Sequence, residues 1–381
     1  MLSGADLGSL IDFRRRLHRL PELAGTEAKT ASAVVEFLDG SAPDSIVTGL
    51  GGHGVAVTYG AHPGPTLLLR AELDALPIIE VTNVSYRSEN SGIGHHCGHD
   101  GHMAILAGVG LMFGRRRPKR GRVVLMFQPA EENALGAAAV LADPAFESMR
   151  PDMALALHNL SSQPLGRVVL DEGVVNCASR GLRIILDGQT AHASAPEDGI
   201  SPTASVAALL DSLPALGFGG VPGPGYRLVT VTHAVLGEEA FGVAPGHAEV
   251  WVTLRTMSDD GMDALRVDAE RVTRSVAERD GLTASFEEHD VFRHCENDPD
   301  AVALLRRAFD KDGIAHTTGV VERGSEDFGL FRAVAPSAMF FLGSDRGQGS
   351  PQLHNPDFDF PDELIDIGVR TLTSAATEFF R

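Results

Sequence analysis

Residues 95–102 read His-His-Cys-Gly-His-Asp-Gly-His, which places four imidazoles, a thiol and a carboxylate in one short segment. Imidazole and thiolate bind borderline-soft divalent ions, and Cys97 and His99, two apart across Gly98, can converge on an ion before a helix begins. The competing reading of this segment is a His-rich surface turn. A second feature is the pair Glu131–Glu132, directly after VVLMF-Gln128-Pro129-Ala130. At a strand end, adjacent side chains point to opposite sides, so one carboxylate can bind a metal while its neighbour acts on water as a general base. Adjacent glutamates are also common on ordinary surface loops. His158 closes the apolar run DMALAL, where a lone histidine is more often a hydrogen-bonded structural residue, and His354 lies in the loop segment Gln352-Leu353-His354-Asn355-Pro356. Together Cys97, His99, Glu132, His158 and His354 are enough to hold two metal ions with positions left open for water and substrate. Cys97 as a nucleophile beside a histidine is a different chemistry. It fits less well, because a thiolate flanked by histidines next to a carboxylate pair is better placed as a ligand.

These groups need a scaffold, and the pattern around them supplies one. Three apolar runs, at 65–77, 121–133 and 151–160, end in Glu72 and Asp74, in Glu131 and Glu132, and in His158. Between the first two, residues 99–113 have helix length and few β-branched residues. Buried strands separated by helices predict a mainly parallel sheet flanked by helices, with function collected at the carboxyl ends of the strands. From about residue 180 the pattern becomes strand, helix, strand, strand, helix, strand, which is the ferredoxin-like βαββαβ order. Its first helix is read as opening at Ser201 with Pro202 in the first turn, and its second carries Met262, Leu265, Ala269, Val272 and Val276 on one face. The fold class is therefore α/β: a catalytic domain from residues 1–178 and 291–381, with a ferredoxin-like domain inserted at 179–290. The basic run at 115–122 reads as a solvated turn between a helix and a strand.

Composition bounds the partners. The 381 residues carry 32 Lys+Arg against 51 Asp+Glu, a formal charge of -19. Such a surface would repel a phosphate backbone, so nucleic acid is excluded as a partner. No apolar run approaches the roughly 18 residues needed to span a bilayer, and the first residues lack a signal peptide's apolar core. No membrane partner and a cytoplasmic location are expected. Three cysteines, Cys97, Cys177 and Cys295, are an odd number with wide spacing and do not form a disulfide framework.

Eight ordered segments carry a family resemblance: RAELDALPI at 70–78, HHCGHDGHMAIL at 95–106, QPAEE at 128–132, LHNL at 157–160, AHASAPEDGISP at 191–202, LRT at 254–256, GSEDFG at 324–329 and LHNPDFDF at 353–360. With LHRLPEL at 17–23 they span essentially the whole chain, which resembles the aminoacylase and carboxypeptidase metallopeptidases. The branch is that of hippurate hydrolase and the plant hydrolases of indole-acetyl amino acids. The resemblance implies a two-metal catalytic domain interrupted by a ferredoxin-like lid that mediates dimerisation, giving a homodimer or tetramer. It implies two divalent ions per subunit, Zn²⁺ or Mn²⁺ with Co²⁺ or Ni²⁺ as alternatives, on Cys97, His99, Glu132, His158 and His354.

The same resemblance makes Glu131 the general base for metal-activated water and Asp74 the carboxylate that orients a ligating imidazole. His192 becomes the histidine that crosses a dimer or closes over the site to stabilise the oxyanion, and Arg255 a partner for the substrate carboxylate. The implied reaction is hydrolysis of an N-acyl amino acid to a carboxylic acid and a free amino acid. A metallo-aminopeptidase or dipeptidase, and a metal-binding homologue without catalysis, are the alternatives. The chain departs from the family pattern at Glu72, where Asp is usual, at Leu135 before Gly136, where a second glycine is usual, and at Gly242, where Asn is usual. Two dications outweigh the Cys97 thiolate, Glu131 and Glu132 by one charge, so the implied centre is a positive island on an acidic protein.

Overall fold

The computed structural model describes residues 2–319, 321–347 and 349–381, and the chain divides into two compact units. The first comprises Met1–Gly173, Glu296–Gly319 and Asp327–Arg381; the second comprises Val174–Cys295 and Val320–Glu326.

In the first unit, α1 (Gly4–Arg19) and α2 (Ala28–Asp39) precede the strands β1 (Ser45–Leu50), β2 (Gly54–Tyr59) and β3 (Thr66–Glu72). Then come α3 (His99–Arg115), β4 (Arg122–Gln128), α4 (Gly136–Ala142), β5 (Met153–Pro164) and the short β6 (Val168–Val169). After the second unit the chain adds α7 (Pro299–Lys311), β15 (His316–Thr317), β16 (Ser337–Asp345) and α8 (Leu364–Phe379). Eight strands form one sheet in the order β1-β2-β4-β3-β5-β16-β6-β15. Its centre, β4-β3-β5-β16, is parallel throughout, and antiparallel pairs lie toward the margins. Along β3 both alternating sets are buried: Leu67 and Leu69 join the core beneath α3, while Leu68 and Arg70 are buried on the opposite face. A sheet covered on both faces explains why these strands read as continuous apolar runs.

His158 does not close its strand, as the sequence had implied. Pairing with β16 continues past it, from Ala154 opposite Ser337 to Pro164 opposite Asp345. The run beyond His158 is polar, so hydropathy ends there while the hydrogen-bond ladder does not.

The second unit carries β8 (Ala178–Asp187), β9 (Ala191–His192), α5 (Thr203–Ser212), β10 (Arg227–Leu236), β11 (Val243–Ala244), β12 (His247–Thr256), α6 (Asp259–Arg279) and β13 (Thr283–Phe292). The strands β7 (Gly173–Asn176) and β14 (Cys295–Asn297) lie where the chain passes between units. Four long strands pair antiparallel in the order β10-β12-β8-β13, the ferredoxin-like arrangement. Leu182, Ile184 and Leu186 alternate into a core with Val250, Val252 and Leu254 beneath the two helices, while much of β10 and β13 is exposed. Helix α5 starts one residue later than the Ser201–Pro202 reading: Pro202 is the N-cap, and its missing N–H costs nothing there. The basic run does join α3 to β4, with Arg115 paired to Asp6 and Arg117 to Asp44.

Candidate metal centre

All five candidate ligands belong to the first unit, and the parallel centre of the sheet brings them together. Cys97 and His99 flank Gly98, which N-caps α3 at φ 101°, a left-handed conformation that glycine adopts without strain. The segment is not a surface turn, since His95, His96, His99 and His102 are all essentially buried. Cys97, His99 and His158 present ligand atoms within 4.8 Å of one another, and so do Cys97, Glu132 and His354. Cys97 Sγ lies 3.4 Å from His158 Nε2. Glu132 spans the two clusters: one oxygen is 3.8 Å from His99 Nε2, and the other is 3.8 Å from His354 Nε2.

Main-chain oxygens fix the imidazoles. His99 Nδ1 donates to the Asp74 carbonyl at 2.8 Å and His158 Nδ1 to the Asn159 carbonyl at 2.7 Å, so each ring turns Nε2 into the cluster. The Asp74 side chain also faces the His99 ring. Its Oδ1 stands 3.6 Å from His99 Nδ1, and its close side-chain bond is from Oδ2 to the Glu132 N–H, 2.9 Å.

The Glu131–Glu132 pair also departs from the strand-end picture. β4 ends at Gln128, and the two glutamates sit in a turn bracketed by Ala130 at φ 52° and Ala134 at φ 63°. Both carboxylates face the same nitrogen, with Glu131 Oε2 3.9 Å from His99 Nε2. Strand alternation does not apply in a turn, so they are not directed to opposite sides. Left-handed alanine costs about 1–2 kcal/mol each. Of the five non-glycine residues with positive φ among the described residues, Ala130, Ala134 and His354 all lie at this site. Concentrated strain of this kind is a mark of functional geometry.

Sequence reasoning missed a supporting layer. His102, one turn after His99, bonds Glu72 Oε2 at 2.7 Å and Asn159 Oδ1 at 2.6 Å. Glu72 also pairs with buried Arg70, which reaches Asp327 at 2.6 Å. Burial alone would raise the Glu72 pKa, but Arg70 and His102 outweigh it and hold the carboxylate ionised. Glu27 accepts the Ala130 N–H at 2.8 Å. The i, i+3 spacing of His99 and His102 was the available signal for the first contact; nothing local announces the others.

Burial drives the Cys97 thiol well above its ordinary pKa, with Glu132 adding to the effect, and burial holds His158 down to about 3. A thiol in this setting becomes a thiolate only opposite a strong positive charge. Neutral imidazole is the form that binds metal. The donor set of thiol, imidazoles and carboxylate, with buried His99 Nε2 lacking a hydrogen-bond partner, fits divalent ions of the zinc type.

In the second unit, His192 lies on the exposed ribbon β9–β11, where its Nδ1 accepts from the Ser194 N–H at 3.1 Å. Arg255 on β12 donates to the Arg323 carbonyl at 2.7 Å and contacts Ser325 Oγ at 3.4 Å. Burial lowers its pKa. Gly242 adjoins His192's ribbon, its carbonyl accepting the Ala193 N–H at 3.0 Å.

Residues 68–378 match peptidase family M20/M25/M40. The chain belongs to this family. It is similar to the N-acetylcysteine deacetylase of Bacillus subtilis, 28% identical over 373 residues and 96% of each chain. It is also similar to the N-acetyldiaminopimelate deacetylase of Geobacillus thermodenitrificans, 30% identical over 374 residues and 97% of each chain. Among solved structures, a dinuclear metal binding peptidase of the M20 family from Bacillus subtilis superposes with a TM-score of 0.81 at 26% identity, covering 100% of this chain and 99% of that one. As a member of this peptidase family the protein is a hydrolase acting on amides, a metal-dependent amidohydrolase. The family and the dinuclear relative support two divalent ions. No helix among the described residues is long and apolar enough to cross a membrane.

Proposed function

We propose that the protein hydrolyses the amide bond of N-acyl amino acids, releasing a carboxylic acid and a free amino acid. The observation that carries this reading is the pair of overlapping ligand clusters with Glu131 beside them. In this reading Cys97, His99, Glu132, His158 and His354 hold two divalent ions, Zn²⁺ or Mn²⁺, with Co²⁺ and Ni²⁺ as substitutes. Bound dications lower the pKa of water toward ~7 and polarise the acyl oxygen. Glu131 takes the proton of the attacking water and returns it to the leaving amine. Asp74 holds the Glu132 amide and so keeps both glutamates in place. Because His192 Nδ1 accepts a backbone N–H, the neutral ring carries its proton on Nε2 and can donate to the developing oxyanion. Arg255 pairs with the substrate carboxylate; supporting this, it forms no ion pair with a carboxylate among the described residues.

The names of the deacetylase relatives support acyl amino acids as the substrate class. Cys97 and Cys177, buried thiols outside any disulfide, support a reducing, cytoplasmic setting. The exposed edge strand β10, with Val235 and Leu236 open, supports homodimerisation through the second unit. A panel of N-acetylcysteine, N-acetyldiaminopimelate, benzoylglycine, indole-acetyl-alanine and aminobenzoyl-glutamate, assayed on protein loaded with each metal, identifies the substrate. Glu131→Gln is expected to abolish turnover while metal content stays near wild type. A variant that keeps most of its activity would overturn the mechanism. Chelator should remove activity and added Zn²⁺, Mn²⁺ or Co²⁺ restore it, whereas a Cys97-nucleophile enzyme would be indifferent to chelation.

A further inference from the structure

We propose that Glu27 is a positioning residue for Glu131, acting through the main chain of Ala130; this rests on Glu131 being the general base. Glu27 stands at the N-cap of α2, over a hundred residues away in sequence, and is fully buried. Its Oε1 accepts two amide protons, from Gly25 at 2.9 Å and from Ala130 at 2.8 Å. One carboxylate oxygen thus ties the segment before α2 to the residue that precedes the base.

Ala130 needs such a tie. At φ 52° it occupies the left-handed region that alanine avoids, so without an anchor the backbone there would relax toward an ordinary conformation. Its other anchor is its own carbonyl, which accepts the Gly136 N–H at 2.9 Å. That bond closes the turn from within but does not fix the turn against the rest of the unit. Two external anchors flank the base, Glu27 on Ala130 and Asp74 on Glu132. A rotation of the Ala130 peptide would swing Glu131 away from His99 Nε2, and displacement of about 1 Å at a reacting group costs on the order of 10²-fold in rate. Burial pushes the Glu27 pKa up, so a neutral acceptor is compatible with the site. What the geometry requires is an oxygen at this point rather than a charge.

The test uses the full-length, metal-loaded protein and the panel substrate turned over fastest. Glu27→Gln keeps the acceptor oxygen and should stay within about threefold of wild-type kcat. Glu27→Ala should lose about 10²-fold in kcat, with KM and metal content unchanged. Adding Ala130→Gly, which makes the left-handed conformation free of strain, should recover most of that loss. In the metal-free protein, Glu27→Ala should speed hydrogen exchange of the Ala130 amide about tenfold or more, a readout independent of turnover. If Glu27→Ala does not fold, Glu27→Asp, which withdraws the oxygen by one methylene, carries the same expectations. The proposal is overturned if Glu27→Ala, or Glu27→Asp in its place, keeps kcat within threefold of wild type, if KM rises or metal content falls together with the loss of kcat, or if Ala130→Gly recovers nothing. Failure of the general-base reading would appear separately, as retained activity in Glu131→Gln.

Discussion

The rings of His99 and His158 are each aimed by a main-chain oxygen, and the turn that carries the two glutamates is held by carboxylates from elsewhere in the first unit. Removing such an orienting group typically costs 10–100-fold in metal affinity. Asp74→Ala should therefore weaken metal binding by roughly that factor, because the Glu132 amide loses its acceptor and Glu132 spans both clusters. A competitive metal titration showing wild-type affinity for both equivalents would remove Asp74 from this role. Gly242 makes the opposite point. Its φ is not positive and no atom lies within 4 Å of where a Cβ would be, so the backbone does not demand glycine there. Gly242→Asn should change stability by no more than about 0.5 kcal/mol. KM for the panel substrates is where its effect is expected, and an unchanged KM would separate this position from substrate selection.

Helix α3 shows how an element turns a local motif into a site. Gly98 gives it a left-handed N-cap, and a methyl group there would collide with the Asn159 side chain and crowd Phe360. Gly98→Ala should cost about 2–5 kcal/mol, the sum of left-handed strain and overpacking. Denaturant unfolding measures this directly, and a loss below 1 kcal/mol would show that the turn can relax. The start of the helix is also tied to α1. Asp100 pairs with Arg14 at 2.7 Å and with His18 at 2.8 Å, all fully buried, and His18 also meets Glu80 at 3.3 Å. Burial by itself would lower the His18 pKa, but its bonds to Asp100 and Glu80 outweigh burial and raise it from 6.5 to about 9. A folded-state pKa above the unfolded one means that this stabilisation is fully present below about pH 6.5 and is lost as pH rises through 9. Thermal melts from pH 6.5 to 9.5 should show that slope in the wild type and a flatter one in His18→Asn. Parallel slopes in the two proteins would assign the pH dependence to other groups.

At the scale of the whole molecule, the two units have separate hydrophobic cores, and every candidate ligand belongs to the first. Metal loading should therefore raise the melting temperature of one calorimetric transition and leave the other in place, since a ligand stabilises only what binds it. A single transition that shifts as one would show that the units unfold together. Much of this division was legible in the sequence. The βαββαβ order and the buried parallel strands follow from periodicity, which is a local property, and the donor types around Cys97 and His99 from metal-ligand chemistry, whereas the assignment of the full ligand set, His158 and His354 included, came with the family resemblance. What periodicity cannot carry is which distant residues meet. The course of β5 beyond His158 depended on pairing with β16, and the shared orientation of Glu131 and Glu132 on a turn of left-handed residues. The anchoring of that turn by Glu27 and Asp74 joins segments separated by about 100 and 60 residues. The residue types determined which chemistry was available. Only the tertiary structure, by setting the order of the parallel strands and the strained turn between them, decided where each donor atom points.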